Sequence, residues 1–162
     1  MGEKMNELEA LALALEVEKA ELRFYIEMAK KAKDEKAKKM FLFLAGEEAE
    51  HWDVFEKNLI EKLLQKPEMP QINKELLEKL TPKYEGELSE VKAVEIGMEQ
   101  EKLTWEFYEK AAEETEDENV KKIFNELAKV EKEHYELLKA QYDSVMKTGI
   151  WMDYQDFSLE VD

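Results

Sequence analysis

The sequence predicts an all-α fold: a four-helix bundle of two helical hairpins, joined by a long crossover and followed by a C-terminal tail. Three observations carry that reading. The chain repeats itself, since residues 16–51 align without a gap on residues 99–134 and 16 of the 36 positions are identical. Apolar residues in each copy recur at steps of three and four, the period of one helix face. Glycine and proline are scarce, 5 and 3 in 162 residues, and Pro67, Pro70 and Pro82 all fall between the copies. Two copies of a repeat this long make a duplicated hairpin, not a solenoid.

The first hairpin is expected over about 5–65. Its first helix presents Leu11, Leu15, Glu18, Leu22, Tyr25 and Ala29 on one face. Asp34 then stands where an N-cap is needed, because its carboxylate can accept from the free N–H groups of a new helix. The helix that follows presents Phe41, Leu44, Glu48, His51, Phe55 and Leu59. Residues 66–88 form the crossover, which the prolines keep from being one helix, with a short helix over Lys74–Leu80. The second hairpin, 89–148, repeats the plan. Val94, Glu101, Trp105, Tyr108 and Ala112 share a face, Asp117 caps, and Phe124, Leu127, Glu131, His134, Leu138 and Val145 share the next face. Gly149 is placed to end that helix. Residues 1–148 are thus read as one bundle and 149–162 as the tail. In the tail Phe157, Leu159 and Val161 alternate with polar residues, which predicts a short extended segment. Trp151, Tyr154 and Phe157 are expected to cover a bundle face or a partner subunit. Gly46 and Gly97 interrupt helices and are expected where two helices approach closely.

Composition removes several function classes. With 40 acidic against 24 basic residues the net charge is −16, and such a surface repels phosphate, so no nucleic-acid partner is expected. No cysteine is present, which excludes disulfides, thiolate metal sites and cysteine nucleophiles. No apolar run is long enough to span a bilayer, so no membrane partner is expected and the protein is read as cytoplasmic.

The chemistry resides in two Glu-x-x-His motifs, Glu48–His51 and Glu131–His134, which contain the only two histidines. At a spacing of three, Glu and His leave a helix on nearly the same face. Each motif is matched by one glutamate on the neighbouring helix, Glu18 and Glu101. One such motif arises easily by chance on a glutamate-rich helix. Two in register, each with its glutamate and each sharing a face with Phe and Leu, do not. Four glutamates facing a core are untenable when all are ionised and unpaired. Two divalent cations balance four carboxylates, and neutral imidazoles complete the coordination. Mixed carboxylate and imidazole donors suit two iron ions, two manganese ions or a mixed pair, and do not separate them.

The pattern Glu-Lys…Phe-Tyr followed by Phe-x-x-Leu-Ala-x-x-Glu-x-x-His occurs twice and resembles the rubrerythrin group of ferritin-like proteins over roughly residues 8–146. The resemblance implies a ferritin-like bundle whose halves are joined by a long crossover. It implies Glu18, Glu48 and His51 near one metal, Glu101, Glu131 and His134 near the other, and Glu48 and Glu131 as bridges. Tyr25 and Tyr108 are implied to hydrogen-bond the ligand carboxylates. Rubrerythrins carry a further glutamate one turn after the helix-three ligand. Here that position is Thr104, while its mate in the repeat is Glu21, which is expected as a seventh ligand, a further carboxylate near the His134 metal. The implied activity is reduction of hydrogen peroxide at a di-iron centre. The alternatives are a ferroxidase or oxidase using dioxygen, a manganese catalase, or an iron-binding or storage module. Without cysteine in these residues, electrons are expected from a separate, rubredoxin-like donor protein, and a homodimer is expected from the family.

Overall fold

The computed structural model describes residues 5–157. The chain forms α1 (Glu7–Lys31), α2 (Glu35–Gln65), α3 (Lys74–Lys79), α4 (Glu90–Glu114) and α5 (Glu118–Thr148), then a short 3-10 turn at Tyr154–Asp156. The bundle is all-α, with α1 packed along α2 and α4 along α5, the two hairpins of a ferritin-like fold. Each long helix begins at a side chain that accepts a backbone N–H: Asn6 from Glu9, Asp34 from Lys36 and Ala37, Ser89 from Lys92, and Asp117 from Val120. Such caps contribute about 1 kcal/mol each and set where helices start. The hairpin turns are therefore only a few residues long. α5 ends at Gly149, whose φ of 75° is the left-handed conformation that glycine adopts without penalty.

The core is layered along the bundle axis. One apolar cluster gathers Leu11, Val17, Phe55, Phe107, Phe124 and their neighbours, with Leu80 from the crossover. The other gathers Phe24, Met40, Phe41, Leu44, Val94, Leu138 and Trp151. Both draw on the two hairpins. Between them, at mid-bundle, every long helix turns polar residues inward: Glu18 and Glu21 from α1, Glu48 and His51 from α2, Gln100, Glu101 and Thr104 from α4, and Glu131 and His134 from α5.

The two helical glycines differ. A Cβ on Gly97 would lie 3.1 Å from Leu138 Cδ1 and 3.4 Å from the Tyr25 hydroxyl, so that glycine marks a close approach. A Cβ on Gly46 would meet nothing within 4 Å, so the close approach expected there is absent: Gly46 lies on the outer face of α2. The tail folds back on the bundle. Gln141 accepts from the Met152 backbone N–H and donates to its carbonyl, Trp151 is buried, and Tyr154 stacks on Phe43 at 4.7 Å. Where it is described, the tail is a turn rather than a strand, and Leu159 and Val161 of the expected extended segment lie outside the described residues. Among the described residues no helix is long and apolar enough to cross a membrane.

Candidate metal centre

Glu18, Glu48, Glu101 and Glu131 are wholly buried, and His51 and His134 are 6% and 1% exposed. The helices bring these six residues into two overlapping groups. Glu18, Glu48, His51 and Glu131 each offer a donor atom within 4.8 Å of the others, and so do Glu48, Glu101, Glu131 and His134. Glu48 and Glu131 belong to both groups. The arrangement obeys the internal two-fold of the sequence. His51 Nδ1 lies 3.1 Å from Glu131 Oε1, and His134 Nδ1 lies 3.1 Å from Glu48 Oε1. The two imidazoles stack with centroids 5.8 Å apart. Each group thus takes three residues from one hairpin and one from the other.

Two tyrosines also cross between hairpins. The Tyr25 hydroxyl of α1 donates to Glu101 Oε1 of α4 at 2.6 Å, and the Tyr108 hydroxyl of α4 donates to Glu18 Oε1 of α1. Burial and the surrounding carboxylates push both phenols well above their ordinary range, so both stay protonated donors. Gly97, one turn before Glu101, leaves the space in which the Tyr25 hydroxyl sits.

Glu21 is a fifth buried carboxyl of this layer but falls outside both groups. Its Oε1 accepts from the Thr104 hydroxyl and, at 3.1 Å, from the Gln100 amide. Glu21 and Thr104, mates in the repeat, therefore bond each other across the two-fold. Gln100 also donates to the Leu80 carbonyl, tying the crossover to this carboxyl.

The electrostatics describe a site built for cations. Burial pushes Glu48, Glu131 and Glu21 well above the usual carboxylate range, and neighbouring carboxylates add to it. Glu101 is the exception. Burial raises it, but the adjacent Glu131 carboxyl, the nearby charge of His134 and the hydrogen bond from Tyr25 leave it lowered. For His134 burial favours the neutral ring, yet Glu101 and Glu47 outweigh it and hold the imidazolium up to about 10. Even so, Glu18 Oε2, both oxygens of Glu48, Glu101 Oε2, Glu131 Oε2 and both nitrogens of His134 are buried without a hydrogen-bond partner. Native interiors leave few such atoms. Here they converge, and all are oxygen or imidazole nitrogen, the donors of hard and borderline divalent metals. The residues fit a binuclear metal site.

All six residues singled out in the sequence meet here, and Glu21 lies beside them. Two further residues had no sequence signal of their own. Gln100 occupies a position whose mate is Val17, and Glu47 a position whose mate is Val130. Glu47 is half-buried, with Oε1 3.6 Å from His134 Nε2. The signal that finds both is the mismatch within the repeat: a polar residue where the other copy has valine, beside a motif otherwise preserved.

Residues 9–142 match the sequence model of the rubrerythrin family. No curated protein sequence matches the chain significantly. Among solved structures, the chain is similar to a hypothetical protein from Pyrococcus furiosus, with 25% identity and a TM-score of 0.70 over 87% of this chain and 90% of that one. It is also similar in fold to the dodecameric thioferritin, a bacterioferritin-related protein, of Bacteroides fragilis, with 18% identity and a TM-score of 0.71 over 88% of each chain.

Proposed function

The chain belongs to the rubrerythrin family, and on that premise we propose that it is a cytoplasmic di-iron protein that reduces hydrogen peroxide with electrons from a separate, rubredoxin-like donor. One observation carries the proposal: the two buried donor groups overlap in Glu48 and Glu131, so these residues would hold two cations as one binuclear centre. Glu18, His51, Glu48 and Glu131 would hold one iron, and Glu101, His134, Glu48 and Glu131 the other. When bound, two ferrous ions would supply the two electrons needed to reduce one peroxide, with two protons, to two waters. The chain's own residues supply the rest. Tyr25 and Tyr108 fix Glu101 and Glu18 by hydrogen bonds, so these carboxylates keep their aim when charge at the centre changes. The apolar clusters above and below the polar layer exclude bulk water, which strengthens every interaction within it. Glu21 stands as a reserve carboxylate: Thr104 and Gln100 hold one oxygen while Oε2 is unpartnered. The functional unit is proposed to be a homodimer.

The test is metal content followed by turnover. Protein loaded anaerobically is expected to hold two irons per chain. The reduced protein is expected to consume peroxide faster than dioxygen, and to stop when reductant runs out. Oxygen release without reductant would make the protein a catalase, with manganese as the metal to try. Faster oxidation by dioxygen would make it a ferroxidase or oxidase, and many irons per chain a storage module. Failure to bind any of these metals would overturn the binuclear reading itself.

A further inference from the structure

The repeat makes the two halves of the centre equivalent in their six principal residues, but not in what stands behind the histidines. Both histidines turn Nδ1 toward the carboxylates: His51 to Glu131, Glu18 and Glu48, and His134 to Glu48 and Glu101. When Nδ1 binds a cation, a neutral imidazole must carry its proton on Nε2. His134 Nε2 is buried without a hydrogen-bond partner. A buried N–H requires an acceptor, and the carboxylate within 4 Å of it is Glu47, whose Oε1 is 3.6 Å away. A few tenths of an ångström close that gap to a normal bond. On the other side the repeat places Val130 where Glu47 stands, and among the described residues no carboxylate lies within 4 Å of His51 Nε2.

We propose that Glu47 is the positioning residue for His134, accepting its outer N–H, and that the two metal positions are therefore unequal. The position at His134 is held by a carboxylate-backed imidazole and fills first. The position at His51, backed by no carboxylate, fills second. A carboxylate behind a ligating imidazole fixes its tautomer and makes its free nitrogen a stronger donor, and loss of such a group lowers metal affinity about 10–100-fold. The inference rests on the binuclear reading above.

The test is an anaerobic calorimetric titration of the whole chain with Co(II), with the cobalt absorption bands recorded at each step. The unsubstituted chain is expected to bind two cobalt ions in two resolved steps. Glu47→Val copies the residue that the other half already uses, at a site with solvent access, so the helix tolerates it. It is expected to weaken the first step about 10–100-fold, merge it with the second and alter the first-step cobalt spectrum. Val130→Glu is expected to tighten the second step. Glu50→Gln removes the same charge from an exposed position on the same helix and is expected to leave both steps within about twofold, as a surface charge acts weakly. The proposal is overturned if Glu47→Val changes neither step. It is equally overturned if Glu47→Val and Glu50→Gln weaken both steps alike, which would mark a diffuse effect of charge. If the unsubstituted chain binds no cobalt, iron or manganese, the binuclear reading fails and the inference falls with it. Two bound ions with an inert Glu47 sink the inference alone.

Discussion

Removing metal from this protein is expected to reverse the pH dependence of its stability. In the metal-free bundle burial pushes Glu21, Glu48 and Glu131 well above the ordinary glutamate value of 4.5, and His134 is raised from 6.5 to about 10. A raised group keeps in the folded state a proton that the unfolded chain gives up. Its contribution is complete below the unfolded pKa and is lost as pH rises through the folded pKa. The three carboxyls act from 4.5 upward, and His134 acts in the same direction between 6.5 and about 10. Glu101, lowered in the fold, opposes them only below 4.5. One proton of difference changes stability by about 1.4 kcal/mol per pH unit, so the three carboxyls titrating together reach about 4 kcal/mol per unit. For a domain of this size each such proton moves the melting temperature by about 3–5 °C per pH unit. Metal binding has the opposite sign, since the ligands must be deprotonated and binding releases protons. Urea unfolding followed by far-ultraviolet circular dichroism, with chelator and with iron or manganese, measures both profiles. From about pH 5 to about pH 8 the chelated protein is expected to lose stability, while the stabilisation gained from metal grows. A chelated protein whose stability is flat or rises over that range would refute the reasoning, because the buried carboxyls would then be ionised or hydrated.

Other perturbations follow from individual contacts. Tyr25→Phe and Tyr108→Phe each remove a donor from a buried carboxylate, a hydrogen bond worth about 1.5–3 kcal/mol when the acceptor is charged. Both are expected to weaken metal binding in the same titration, and a loss below about 0.5 kcal/mol would show the hydroxyls to be idle. Gly46→Ala is expected to stabilise the protein by about 1 kcal/mol, because it improves an exposed helix interior and its Cβ meets nothing. At Gly97 the same change presses on Leu138 and the Tyr25 hydroxyl, so the helix gain is cancelled and the bond to Glu101 is disturbed. Thermal melts that rank Gly97→Ala above Gly46→Ala would contradict this packing. If Glu21 is a reserve ligand, X-ray absorption of the iron-loaded protein should show a metal environment that changes between oxidised and reduced forms, and Glu21→Ala should abolish that change.

The fold was legible because the sequence states its helices twice and caps them. Asp34 and Asp117 hold the positions that the repeat assigns them, and Gly149 ends α5. Assembly of the six site residues was legible for a related reason. Glu18, Glu48 and His51 lie on faces otherwise filled by Leu11, Tyr25, Phe41 and Phe55, and a face that buries phenylalanine buries its other residues too. What periodicity leaves open is how the hairpins dock. Gly46 shows the limit, since a helical glycine reads the same whether a neighbour presses on it or solvent does, and here solvent does. Gln100 shows another, since its partner is a backbone carbonyl of the crossover, Leu80, which no side-chain pattern encodes. Glu47 adjoins a motif residue on a glutamate-rich helix; the mismatch with Val130 flags it, but only its distance from the far hairpin's His134 shows what it faces.

The layering accounts for how a bundle can carry five buried carboxyls. An ionised carboxylate in an apolar interior costs several kcal/mol after relaxation, and like charges raise that cost. The bundle does not spread these groups along its length. Both apolar clusters contain residues of the two hairpins, so the halves are fastened above and below the polar layer whether or not a cation lies between them. The polar atoms are then held at converging positions by helices that the clusters, not the ligands, keep in place. Such a frame can leave donor atoms without partners and still fold, as preorganised binding requires. Duplication makes the frame economical to specify, because one hairpin sequence, used twice, places three donor side chains in each half and lets one glutamate of each reach across. It also makes departures from symmetry informative. Where one copy keeps a buried or half-buried polar residue and the other has an apolar one, as at Gln100 and Val17 or Glu47 and Val130, the shared fold does not require the polar side chain. The reason for it must lie in what differs between the two sides of the centre: the crossover at Gln100, and the outer nitrogen of His134 at Glu47.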